Sequence, residues 1–176
     1  KWNEHTTLLS HGVDYAHFSS ALAADVPEAV PDFPQGRIVG FFGLISEWID
    51  QALILDVART FPDSCVALIG KTDVPTELMR RQKNIHFLGP RPYADLPRYA
   101  ARFDAGIIPF LVNDLTRAVN PIKLREMLAA GCPVVSTALP EVEALVPRLP
   151  PGAGAVARDR LPEAVTLATL SNGLTV

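Results

Sequence analysis

Along most of the chain, short apolar runs alternate with segments whose apolar residues recur every three or four positions. This is the pattern of buried parallel strands joined by amphipathic helices. Residues 38–44 (IVGFFGL) predict a first buried strand, and Ser46 is placed to cap a helix through Thr60 with Ile49, Leu53 and Val57 facing inward. Residues 66–70 predict a second strand. A polar stretch with Pro75 and a short helix leads to a third strand at 85–89 (IHFLG), then a helix over 93–103 and a fourth strand at 105–110 (AGIIPF). The next helix is the best marked. Asn120 suits its N-cap and Pro121 its first position, Leu124, Met127 and Leu128 form an apolar stripe, and Gly131 closes it. It runs into a strand opening at Pro133-Val134-Val135-Ser136. A short helix at 141–146, a Pro/Gly-rich loop through Gly154, and a last strand and helix within 155–170 complete the pattern. The resulting fold class is α/β: a Rossmann-like three-layer sandwich with a parallel sheet between helices.

Residues 1–36 depart from this rhythm, because 27–36 (PEAVPDFPQG) reads as a Pro-rich extended linker. The packed unit is therefore expected to begin at Arg37. At 176 residues, with 48% hydrophobic and 20% charged residues, the chain fits one well-filled globular domain. A net charge of -3 without any basic run argues against nucleic acid as a partner, although a local cationic patch for phosphate is compatible with it. Cys65 and Cys132 read as buried thiols. Neither they nor His5, His11, His17 and His86 follow a metal-ligand spacing, so no metal is expected. No apolar run reaches membrane-spanning length and KWNEHTTLLS lacks a signal-peptide core, which suggests a cytoplasmic protein. Because the chain opens on Lys1, it is expected to be part of something longer.

Four places carry candidate chemistry. In residues 120–136 (NPIKLREMLAAGCPVVS), the helix N-terminus offers free N–H groups to an anion and Lys123 adds a cation. Glu126 follows about 4.5 Å further along the axis, at about 1.5 Å per residue, where a carboxylate would take both hydroxyls of a ribose. Spacing alone favours the plainer reading, solvated neighbours on a surface helix. Gly40-Phe41-Phe42-Gly43 ends the first strand but is not GxGxxG, so an oxidoreductase is weakly supported. Gly43 would either face a phosphate or ease strand-to-helix packing. Gly70-Lys71-Thr72 mimics the end of a Walker A loop, yet Cys65 stands where the first glycine is needed. Lys71 is then either a loop lysine in solvent or a phosphate contact from the strand edge. Arg91, in Gly89-Pro90-Arg91-Pro92, would stack on a base or pair with Asp95.

The stretch 120–136 resembles the sugar-nucleotide-binding domain of the retaining B-fold glycosyltransferases called "glycosyl transferases group 1", in which a Glu before an AAG-x-PVVS turn binds the donor ribose. Residues 10–18 (SHGVDYAHF) resemble that family's crossover between its acceptor and donor domains. The resemblance covers about residues 10–146. It implies the C-terminal donor half of a GT-B enzyme, with an N-terminal acceptor domain absent from this chain. It further implies that Glu126 holds the ribose, Lys123 and Arg117 the diphosphate, with Asn120 fixing the helix end and Lys71 assisting. Gly43 would face the phosphates and the Arg91 loop the base. The donor would be a nucleotide-diphospho-sugar acting as substrate, with no cofactor, and the enzyme a hexosyltransferase-like one when full length. Acceptor contact, and any peripheral membrane contact, would belong to the absent domain.

Two departures stand out. Ser46, Glu47 and Asp50 occupy a region where relatives carry a cation, and acids there would repel a diphosphate. Ala118 takes the place of the first of two glutamates, the one that contacts the transferred sugar, so that recognition would shift to Asn113, Asp114, Thr116 or loop backbone. The absence of Asp-x-Asp argues against the metal-dependent A-fold transferases, leaving helix N-termini and basic side chains to neutralise the donor. The alternative is a non-catalytic nucleotide-binding or interaction module on the same fold. An epimerase on that fold fits less well.

Overall fold

The computed structural model describes residues 11–22, 34–145 and 165–167, together with His5 and Thr7. At its centre is a sheet in the order β3-β2-β1-β4-β5-β6. Its strands are β1 (Arg37–Phe42), β2 (Ser64–Ile69), β3 (Ile85–Gly89), β4 (Ala105–Ile108), β5 (Val134–Thr137) and β6 (Val165–Leu167). The first five are parallel, as the continuous apolar runs predict. β6 lies within the predicted last-strand region but pairs antiparallel with β5, a correction to the all-parallel expectation. A single antiparallel edge strand is a common end to such sheets, and hydrophobicity alone carries no strand direction. The helix expected after it falls outside the described residues, as do the loop through Gly154 and residues 27–33 of the linker.

The chain builds outward from β1 to β2 and β3, then returns to the other side of β1 as β4. Connections leaving β1 and β4 diverge, which opens a crevice at the carboxyl ends of these two strands. Ile38, Phe41 and Phe42 of β1, Leu68 and Ile69 of β2 and Ile108 of β4 are buried in one continuous core. On β4, a side chain at Gly106 would place its Cβ 2.6 Å from Met127 Sδ, so the missing side chain lets the helix carrying Met127 lie close on the sheet.

Two helices differ from expectation. The predicted helix from Ser46 begins later, as α2 (Gln51–Thr60), capped by Asp50 Oδ1, which accepts from Leu53 N at 2.9 Å. The segment before it is held by the chain after β4: Asp50 N donates to Pro109 O at 2.7 Å and Leu111 N to Trp48 O at 2.8 Å. Those bonds, with a turn closed by Ile49 N donating to Ser46 O at 3.0 Å, hold the segment out of a helix where the sequence pattern alone favours one. Residues 93–103 form a 3₁₀ turn (Tyr93–Asp95) and a short helix, α4 (Leu96–Ala100), after the short α3 (Glu77–Arg80). Cys132 is buried and its thiol is pushed up to about 12 by burial, whereas Cys65 is only half-buried.

Residues 11–22 pack onto the domain. Asp14 caps α1 (Tyr15–Ser19), accepting from His17 N at 3.0 Å, and Phe18 is fully buried against Phe42 at 6.3 Å between ring centroids.

Candidate functional site

After β4, Asn113 and Thr116 close a reciprocal capping box on α5 (Asp114–Arg117). The chain then turns into α6 (Ile122–Ala129), ahead of α7 (Pro140–Leu145). The N-cap of α6 is Pro121, not Asn120, and no side chain caps it. Asn120 Oδ1 instead accepts from Arg125 Nη1, which corrects the expected boundary by one residue: a guanidinium in the first turns captures the amide oxygen. The opening N–H groups of α6 are thereby left without a side-chain acceptor, the condition for anion binding. At the other end Gly131 (φ +74°) does close the helix. Gly131 N donates to Leu128 O at 3.0 Å and Cys132 N to Met127 O at 3.0 Å, the two bonds of a Schellman motif.

Lys123 and Glu126 project from α6 into a cleft of about 200 Å³ at the carboxyl edge of the sheet. The floor is glycine. Gly43 (φ +143°) and Gly70 (φ +144°) follow β1 and β2, and Gly70 N donates to Gly89 O at 2.9 Å, so the turns after three adjacent strands stack flat. A Cβ on Gly70 would meet Gly43 O at 1.8 Å, and one on Gly43 would meet Lys123 Cε at 2.1 Å. Lys123 therefore lies across the turn after β1. Pro90 and Arg91 line the far side of the cleft, with Tyr93 and Leu96. The Arg91 guanidinium carbon lies 5.8 Å from the Tyr99 ring centroid, and Asp95, its other expected partner, lies 3.8 Å from Arg98 Nη1.

Burial lowers the Lys123 ammonium below its ordinary value, and Glu126 offsets part of that. Burial raises Glu126 above the ordinary carboxylate value, opposed by the neighbouring Lys123 and His17 side chains. Lys123 and Glu126 thus present a partly desolvated cation and carboxylate in the cleft, opposite the Arg91 guanidinium, and both are available to a ligand that would restore their solvation.

Of the sequence candidates, the cleft brings together Gly43, Arg91, Lys123 and Glu126. Asn120 stands behind them, bound to Arg125. Lys71 and Arg117 are exposed and do not line the cleft. The acids that seemed ill placed for a diphosphate are turned elsewhere: Asp50 caps α2 and Glu47 is exposed, and neither lines the cleft.

Sequence reading missed His17 and Tyr93. His17 Nε2 donates to the Tyr93 carbonyl at 3.1 Å, and their rings stack at 4.7 Å with 19° between planes. Phe18 meets both rings edge-on. Burial, then Glu126 and Asp14, raise the Tyr93 phenol above its ordinary value, so this trio borders the ribose-holding candidate. The two partners are separated by 76 positions, beyond the reach of any local pattern. Among the described residues, no group of three His, Cys, Asp or Glu side chains is placed to hold a metal ion, and no helix is long and apolar enough to cross a membrane.

Residues 36–170 match the family described as Glycosyl transferases group 1. TuaH of Bacillus subtilis (strain 168), assigned as a glycosyltransferase of teichuronic acid biosynthesis, is 33% identical over 141 residues, 78% of this chain and 35% of TuaH. Crystal structures of Anabaena HepE share the fold. The one in complex with UDP and glucose has a TM-score of 0.53 at 22% identity, covering 81% of this chain and 41% of HepE. The one in complex with UDP-glucose has a TM-score of 0.50 at 21% identity, covering 77% and 39%. The chain spans about a third of TuaH and about two fifths of HepE.

Proposed function

Given that the chain belongs to the glycosyl transferases group 1 family, we propose that it is the donor half of a glycosyltransferase, binding a nucleotide-diphospho-sugar in the cleft between Gly43 and α6. One observation carries this reading. Lys123 crosses the turn after β1 while Glu126, three residues on, opens into the same cleft. A diphosphate seated there meets the ammonium and the uncapped start of α6, and the ribose then reaches the Glu126 carboxylate.

Breaking the bond between sugar and diphosphate leaves negative charge on the departing phosphate. Lys123 and the α6 N–H groups are held in place before that charge develops and stabilise it without reorganising. This electrostatic arrangement supports departure of the leaving group without a metal, and the family resemblance adds net retention at the sugar. Arg91 and the loop around it take the base. Lys71 and Arg117, exposed outside the cleft, are assigned at most a long-range contribution to donor attraction.

The acceptor is assigned to a separate N-terminal domain, preceding a connection within residues 1–36, in a protein acting in the cytoplasm. The chain alone then binds nucleotide weakly and transfers nothing. Calorimetry of the full-length protein with UDP, GDP, ADP and their sugars tests the assignment. Binding followed by donor hydrolysis or transfer supports it. Binding without either favours a non-catalytic nucleotide-binding module, which Ala118 in place of a sugar-contacting glutamate motivates. No binding at all sinks both.

A further inference from the structure

Lys123 also lines a second hollow, of about 270 Å³, that Glu126 does not reach. Its other walls are Trp48, Phe110, Leu115, Thr116 and Val119. Chemically this hollow is unlike the cleft beside it. The one hydroxyl that the described residues place in its walls, on Thr116, donates to Leu111 O and accepts from Asn113 N at 3.0 Å. The Asn113 side-chain oxygen is in turn committed to Thr116 N at 3.0 Å. Asp114 and Ala118 are exposed and do not line it. Among the described residues, the lining side chains offer no uncommitted polar group to a ligand beyond the Lys123 ammonium and the single N–H of the Trp48 indole.

A nucleotide-diphospho-sugar is linear: nucleoside, diphosphate, sugar. With the ribose at Glu126 and the diphosphate at Lys123, the group that continues past Lys123 is the sugar, so the role of this hollow rests on the donor-binding reading of the cleft. We propose that this hollow seats the transferred sugar and selects a deoxygenated one, a 6-deoxyhexose, whose methyl-bearing edge turns toward Phe110, Leu115 and Val119, away from the Trp48 N–H and the Lys123 ammonium. A hydroxyl placed against those walls would lose water without gaining a partner, while a methyl and the sugar's C–H face gain apolar and aromatic contact.

Titration of the full-length protein with UDP, UDP-glucose and UDP-6-deoxyglucose tests the inference, because the two sugars differ by one oxygen. The expected result is about tenfold tighter binding of the 6-deoxy donor than of UDP-glucose, the scale set by one unpartnered hydroxyl. Val119→Thr, which adds a hydroxyl at nearly constant shape, should narrow that ratio several-fold. Equal or tighter binding of UDP-glucose would overturn the inference and leave the donor reading standing. Tighter binding of UDP than of either sugar nucleotide would assign the hollow to something other than the donor sugar, with the same consequence. A Val119→Thr variant that keeps the ratio unchanged would also overturn it, since the wall would then not be reading the sugar. If UDP itself fails to bind, the donor reading falls, and this inference with it.

Discussion

Lys123 lies across Gly43 so closely that a Cβ at position 43 would sit 2.1 Å from Lys123 Cε. The absent side chain of one residue thus sets the path of the other, and with it the place of the Lys123 ammonium in the cleft.

Gly43→Ala should therefore act on binding more than on folding. The atom in its way is part of a flexible side chain that can swing aside, although φ of +143° adds backbone strain of about 1–3 kcal/mol. UDP affinity should fall at least tenfold with the fold retained, as read by calorimetry and circular dichroism. Gly70→Ala is the contrast. Its Cβ would meet the carbonyl oxygen of Gly43 at 1.8 Å, backbone that cannot swing aside, so thermal unfolding should show the larger loss of stability.

Glu126→Ala should weaken nucleotide binding by about 1.5–3 kcal/mol, the worth of hydrogen bonds to a charged group. Lys123→Met should lose at least as much. Lys71→Ala and Arg117→Ala, at exposed positions outside the cleft, should change affinity by less than about 0.5 kcal/mol at physiological salt. Equal losses at all four positions would mean that the nucleotide sits elsewhere.

Nucleotide affinity should be bell-shaped in pH. Because burial raises Glu126, the ionised form that accepts the ribose hydroxyls is gained at a higher pH than for an ordinary carboxylate. Because burial lowers Lys123, the ammonium is lost at a lower pH than for an ordinary lysine. Glu126→Gln should abolish the acid limb and Lys123→Met the alkaline one. Stability moves oppositely on both limbs. Folded Glu126 holds its proton more tightly than the unfolded chain does, so its contribution falls as pH rises from the ordinary carboxylate value through the raised one. Folded Lys123 holds its proton less tightly, so its contribution rises as pH passes from the lowered value to the ordinary one. Binding isotherms and thermal unfolding across the same pH series separate the two effects.

Phe18→Ala should destabilise the domain by about 3–5 kcal/mol in denaturant unfolding, because Phe18 is fully buried against Phe42. His17→Ala should cost less stability, since His17 is only half-buried, but should weaken UDP binding through the Tyr93 platform it supports and the Glu126 charge it favours. His17→Gln, able to donate to the Tyr93 carbonyl, should recover part of that loss.

The fold class, the order of the five parallel strands along the chain and the helix bearing Lys123 and Glu126 were all readable from the sequence. Each rests on local information: strand-length apolar runs, the stripe of Leu124 and Met127, and the Gly131 stop. Residues close in sequence share one element, so the three-residue spacing of Lys123 and Glu126 already places them together. Tertiary structure decided what long-range bonds control. The non-helical stretch before α2 is held by Pro109 and Leu111, the start of α6 moved when Arg125 captured Asn120, and β6 runs antiparallel because direction is set by the partner strand. The same holds for the cleft. Whether a lysine three residues from a glutamate is a solvated neighbour or lies across Gly43 depends on a contact between positions 80 residues apart, which no periodicity encodes.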